Sequence, residues 1–124
     1  MILALKDKNR KIGFSFAVKG IIGVLKTERN FRVHLMFLLV AAACGFFFKI
    51  SAFEWIAVVI VSGMVFTSEM LNTTIEKTID YLRPEHHPMA AFIKDAAAGA
   101  VLICAITAVI IGIIIFLPKL LAIL

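Results

Sequence analysis

Residues 96–117 run for 22 positions without one charged side chain. As a helix rising 1.5 Å per residue, such a run covers about 33 Å, enough to cross a bilayer core of about 30 Å. Two more apolar runs precede it, at 35–48 and 52–70, and the second is interrupted only by Glu54 and Glu69. The run at 35–48 is short for a span. Extending it back through Phe31 and Val33 and on to Ile50 supplies the length and leaves Arg32 and His34 near the headgroups. A chain in lipid must satisfy its backbone hydrogen bonds internally. These runs therefore commit the sequence to an all-α integral membrane fold, with transmembrane helices expected over about 31–50, 52–80 and 95–117. Pro118 is read as the stop of the third, and the polar 83–93 segment, with Pro84 and Pro88, as a loop.

The rest of the composition agrees. Of the 124 residues, 62% are hydrophobic, and the mean hydropathy is +1.03. One membrane domain over 1–124 is expected. Eight of the thirteen Lys and Arg fall within residues 1–34, where only Asp7 and Glu28 are acidic. A basic arm of this kind suits an anionic membrane surface, and with so much of the chain in lipid nucleic acid is not expected as a partner. Residues 8–27 mix Phe14, Phe16, Val18, Ile21, Ile22 and Leu25 with Lys11, Lys19 and Lys26. That pattern predicts an amphipathic helix lying in the interface. The positive-inside rule puts this arm and the 83–93 segment in the cytoplasm. The first strong apolar run begins only after residue 34, so no cleavable signal peptide is expected. Cys44 and Cys104 lie in apolar runs and read as packing residues.

Polar residues gather at the cytoplasmic side in three groups. Glu28 stands with Arg29, Asn30 and Arg32 before the first span. Glu69, Asn72, Glu76 and Asp80 are spaced to share one face of a helix. Glu85, His86 and His87 in the loop are followed by Lys94 and Asp95. Two carboxylates from different helices, Glu28 and Glu76, suit a hard cation such as Mg²⁺. Lys94 at a helix start suits phosphate. Glu69, deepest in the apolar run, suits a general base acting on a lipid hydroxyl. Plainer readings stand beside these: a Glu28–Arg32 surface pair, Glu76 and Asp80 as a helix leaving the membrane, Lys94 and Asp95 as anchor and cap, the histidines as a loop tip. There is no Walker-type glycine loop and no kinase-like catalytic loop, so any ATP site lies outside the common soluble folds.

Together these residues resemble the small prokaryotic diacylglycerol kinase family. The matching pieces are Glu28, the motif Glu69-x-Leu71-Asn72-Thr73-x-Ile75-Glu76-x-x-x-Asp80, and Lys94-Asp95 followed by small residues. Within that family, Thr27-Glu28-Arg29-Asn30-Phe31, Glu85-His86-His87-Pro88 and the run from Lys94 to Val101 look like the Gram-positive undecaprenol kinase branch. The resemblance implies a homotrimer with active sites shared between subunits. It implies direct transfer of the ATP γ-phosphate to a membrane lipid alcohol: undecaprenol, or alternatively diacylglycerol. On it, Glu69 is the catalytic base and Glu28 and Glu76 are Mg²⁺ ligands. Glu85, His86, His87, Lys94 and Asp95 are ATP-binding positions, with Asn72 and Asp80 supporting. Phe31, Arg32 and Glu69 are lipid-binding positions, the first two near the lipid entry. The family's aromatic and polar residues on the surface helix are here Phe16, Ala17 and Val18, so contacts made there do not carry over. A proton-coupled transporter, with Glu69 as proton relay, is the reading of another class. It leaves the surface helix and Lys94-Asp95 idle.

Overall fold

The structure, a computed structural model, describes residues 13–124, which form four helices. Helix α1 covers Gly13–Thr27, α2 Arg29–Phe47, α3 Ala52–Leu82 and α4 Pro88–Ile123. Residues 8–12 of the expected surface helix lie outside the described residues. Among the described residues, α2, α3 and α4 are each long and apolar enough to cross a membrane.

The α1–α2 junction is a single extended residue, Glu28, with φ −104° and ψ 114°. Arg32 closes the junction from the far side. Its Nη1 donates to the carbonyls of Leu25 and Lys26, each at 3.0 Å. These are carbonyls that a helix end leaves without intrahelical partners. The surface pair between Glu28 and Arg32 that the spacing allows is thus replaced by a helix cap.

The α2–α3 turn is as tight as its sequence suggests. Lys49 takes a left-handed conformation at φ 52°. Ser51 then caps α3 in a reciprocal box: Glu54 N donates to Ser51 Oγ at 3.2 Å, and Ser51 N donates to Glu54 Oε1 at 2.9 Å. Beneath the turn, Ile50, Val58 and Ile115 are buried, with Phe48, Trp55 and Phe116 packed around them.

The last helix departs from expectation at both ends. It begins at Pro88, not 95, because His87 caps it: Met89 N donates to His87 Nδ1 at 3.1 Å, and Pro88 at the first position needs no N–H partner. The expected 83–93 loop therefore shrinks to 83–87. At the other end α4 runs through Pro118 to Ile123. A proline inside a helix removes one backbone bond, a loss that a surrounding bundle tolerates. Here Lys119 Nζ turns back to donate to the Ile115 carbonyl at 3.1 Å.

Helix α3 packs mainly against α4, and α2 lies on α3. Few side chains are buried, and large apolar residues such as Phe37, Val59, Ile103 and Ile114 face outward. In water that surface would be costly; in lipid it is solvated.

Candidate functional site

The most buried charged side chain is Glu69, at 3% exposure. The crossing of α2 over α3 puts it there. Phe31 packs against Phe66 with the rings tilted and their centroids 5.1 Å apart. One turn further along each helix, His34 Nε2 meets Glu69 Oε1 at 3.1 Å. Ser68 and Thr73 beside it are also buried, so this part of α3 turns a polar face inward.

The same cluster continues toward the end of α3. Asn72 Nδ2 approaches Glu76 Oε1 at 3.4 Å. Asn72 Oδ1 is buried with no partner. Glu28, whose side chain makes no capping bond at the start of α2, lies 3.8 Å from Lys77 Nζ. Among the described residues no group of three His, Cys, Asp or Glu side chains is arranged to hold a metal by itself. Glu76 and the unpartnered Asn72 amide oxygen beside it are oxygen donors, the type that suits Mg²⁺ when further carboxylate, water and phosphate oxygens complete its shell.

A second polar cluster forms where α3 leaves α4. Asp80, Glu85, His86, His87, Lys94 and Asp95 line one pocket of about 330 Å³, together with Arg83. Lys94 pairs with Asp80 across the two helices. Arg83 Nε donates to Glu85 Oε1 at 2.5 Å. The five residues expected at a nucleotide thus share one pocket in one chain. They do not adjoin Glu69: it stands eleven positions before Asp80 in sequence, about 16 Å along α3.

Three polar residues of these clusters escape a reading of the sequence. His34 looks like a headgroup residue at the edge of an apolar run, yet it points inward. Lys77 and Arg83 carry no signal in their spacing that ties them to Glu28 and Glu85. The signal for His34 lay in Glu69 itself, since a buried carboxylate requires a partner. Phe31 is buried at the Glu69 cluster, whereas Arg32 is spent on the end of α1.

An apolar groove of about 370 Å³ opens between α2, α3 and α4. Phe37, Val58, Val65 and Phe116 are among its walls, with His34 and Ser62 as polar lining residues.

A family model described as prokaryotic diacylglycerol kinase matches residues 15–116. The chain is 45% identical over 107 residues to an undecaprenol kinase of Bacillus subtilis, covering 86% of this chain and 87% of that protein. It is 34% identical over 115 residues to a diacylglycerol kinase of a Synechocystis species, covering 92% of this chain and 66% of the relative. It is 30% identical over 98 residues to the diacylglycerol kinase of Escherichia coli K12, covering 79% of each.

Proposed function

The chain belongs to the prokaryotic diacylglycerol kinase family, and from that premise we propose that it transfers the γ-phosphate of ATP to the hydroxyl of undecaprenol in the cell membrane. The observation that carries this reading is the placement of Glu69. It is a buried carboxylate held by His34, and His34 also lines the apolar groove. A long lipid alcohol meets both needs at once, with its chain in an apolar environment and its hydroxyl beside a base.

The residues divide the work. Glu69 takes the proton from the lipid hydroxyl as the oxygen attacks the γ-phosphorus. The bond from that phosphorus to the β–γ bridging oxygen breaks, and ADP leaves with the electron pair. Phosphoryl transfer asks for positioning and charge neutralisation more than covalent help. Lys94, held by Asp80, offers its charge to the phosphates. Glu85, His86, His87 and Asp95 surround the nucleotide. Glu28 and Glu76 hold Mg²⁺, with Asn72 beside them. The ion, when bound, neutralises and orients the phosphates.

The separation of the Glu69 and Lys94 clusters along α3 supports an active site built between subunits of a homotrimer. The basic arm supports a cytoplasmic position for it, with α1 lying on the membrane surface and Phe31 and Arg32 near the lipid entry.

The identity to relatives named diacylglycerol kinase favours a second reading, in which diacylglycerol is the acceptor. Purified protein in micelles, given Mg-ATP and either lipid, separates the two. Faster phosphorylation of undecaprenol is expected. Preference for diacylglycerol transfers the assignment, and phosphorylation of neither sinks both. Glu69→Gln should lower turnover by about 10²–10⁴-fold with the oligomer intact.

A further inference from the structure

We propose that His34 is a positioning residue for phosphoryl transfer, acting through Glu69. The proposal rests on the reading of Glu69 as the base. His34 Nε2 lies 3.1 Å from Glu69 Oε1, and the two side chains are 23% and 4% exposed. They come from different helices, so the contact depends on how α2 crosses α3 and not on local spacing.

A general base needs one carboxylate oxygen free for the substrate and one orientation in which to hold it. Glu69 has three single bonds about which to turn; Val65, Phe66 and Met70 give it no polar anchor, and the Ser68 hydroxyl is turned to the Val65 carbonyl. The imidazole does. With Nε2 protonated, it donates to Oε1, fixes the plane of the carboxylate and leaves Oε2 for the lipid hydroxyl. His34 also lines the apolar groove, where Ser62 is the other polar residue, and Glu69 itself does not line it. A hydroxyl arriving by way of that groove meets His34 and Glu69 as one unit. Had His34 served only to hold α2 on α3, the Phe31–Phe66 packing one turn away already supplies that contact.

The test compares His34→Ala, His34→Leu and His34→Gln with Glu69→Gln, all as assembled oligomers in micelles with Mg-ATP and undecaprenol. Gln keeps an N–H donor at similar reach; Ala and Leu do not, and Leu preserves bulk should Ala fail to assemble. Loss of an orienting partner typically costs about 10–100-fold in activity. A loss of that size in kcat is expected for the Ala or Leu variant, with the KM for Mg-ATP unchanged, and His34→Gln should stay within a small factor of the parent. Wild-type kcat in His34→Leu alongside an inactive Glu69→Gln overturns the role of His34 and spares that of Glu69. Equal loss in His34→Gln and His34→Leu also overturns it, because the hydrogen bond is then not what matters. A fully active Glu69→Gln removes the base itself, and this inference with it.

Discussion

Lys119 Nζ stands 2.6 Å from Glu54 Oε2, and this pair has a counterpart at the other end of the same two helices, Lys94 with Asp80. Glu54 and Asp80 are 26 residues apart on α3, and Lys94 and Lys119 are 25 apart on α4. Antiparallel helices rising 1.5 Å per residue therefore present partners at nearly matching separations of about 38–39 Å. That is longer than a hydrocarbon core of about 30 Å, so one pair falls at each membrane face. Together they set the register in which α3 and α4 slide past one another, and thereby where Lys94 stands relative to Asp80.

The Glu54–Lys119 pair should matter modestly for stability and little for turnover. Both side chains keep access to solvent, which screens a pair of this kind and keeps its contribution small. Lys119→Met is expected to lower the thermal midpoint in micelles only slightly. A double-mutant cycle with Glu54→Gln should show the two changes to be coupled. Loss of folding after Lys119→Met would mean that the pair, and not the apolar seam, holds the far end together.

How far the sequence announces this arrangement depends on the signal each residue carries. The three spans were legible because length and apolarity alone define them. The polar stripe on α3 was legible because helical spacing defines it. What periodicity cannot give is the side on which a neighbouring helix lies. Hence Asp80 and Glu69, on one stripe in sequence, face different partners: Lys94 on α4 and His34 on α2. The ends of α4 were missed for a local reason. Prolines at 88 and 118 read as breaks, but one is a first-turn residue behind a His87 cap and the other lies within a bundle.

Gly45 should tolerate no side chain. A Cβ there would stand 2.6 Å from Trp55 Cη2, 2.8 Å from Cζ2 and 3.1 Å from Ile50 Cδ1. The indole cannot flex, and Phe46 also packs against it with ring centroids 4.8 Å apart. Overpacking of this kind costs about 1–3 kcal/mol. Gly45→Ala should lower the thermal midpoint in detergent, and Trp55→Leu should recover part of the loss in the double variant. Wild-type stability in Gly45→Ala would show that the turn between α2 and α3 can open freely.

Lys94 and Asp80 should separate in nucleotide kinetics. If Lys94 offsets phosphate charge, Lys94→Met removes an interaction that the pocket lacks elsewhere except at Arg83, itself paired with Glu85. A hydrogen bond to a charged group contributes about 1.5–3 kcal/mol, which corresponds to roughly 10–150-fold in kcat/KM for Mg-ATP. Asp80→Asn leaves the cation in place and should cost several-fold less. Equal losses in the two variants would make the pair a structural tie between α3 and α4.

The metal requirement should follow the carboxylates and not the histidines. Chelation is expected to abolish turnover and added Mg²⁺ to restore it. Glu28→Gln and Glu76→Gln should each raise the Mg²⁺ concentration needed for half-maximal rate, because each change removes one anionic oxygen from a hard cation. Asn72→Ala should do so more weakly: its Oδ1 is neutral, yet it is buried without a partner beside Glu76. His86→Ala and His87→Ala, with imidazoles ill suited to Mg²⁺, should leave that concentration unchanged whatever they do to the KM for ATP. A Mg²⁺ titration that shifts with either histidine and not with Glu28 or Glu76 would move the metal from the Glu69 cluster to the Lys94 pocket.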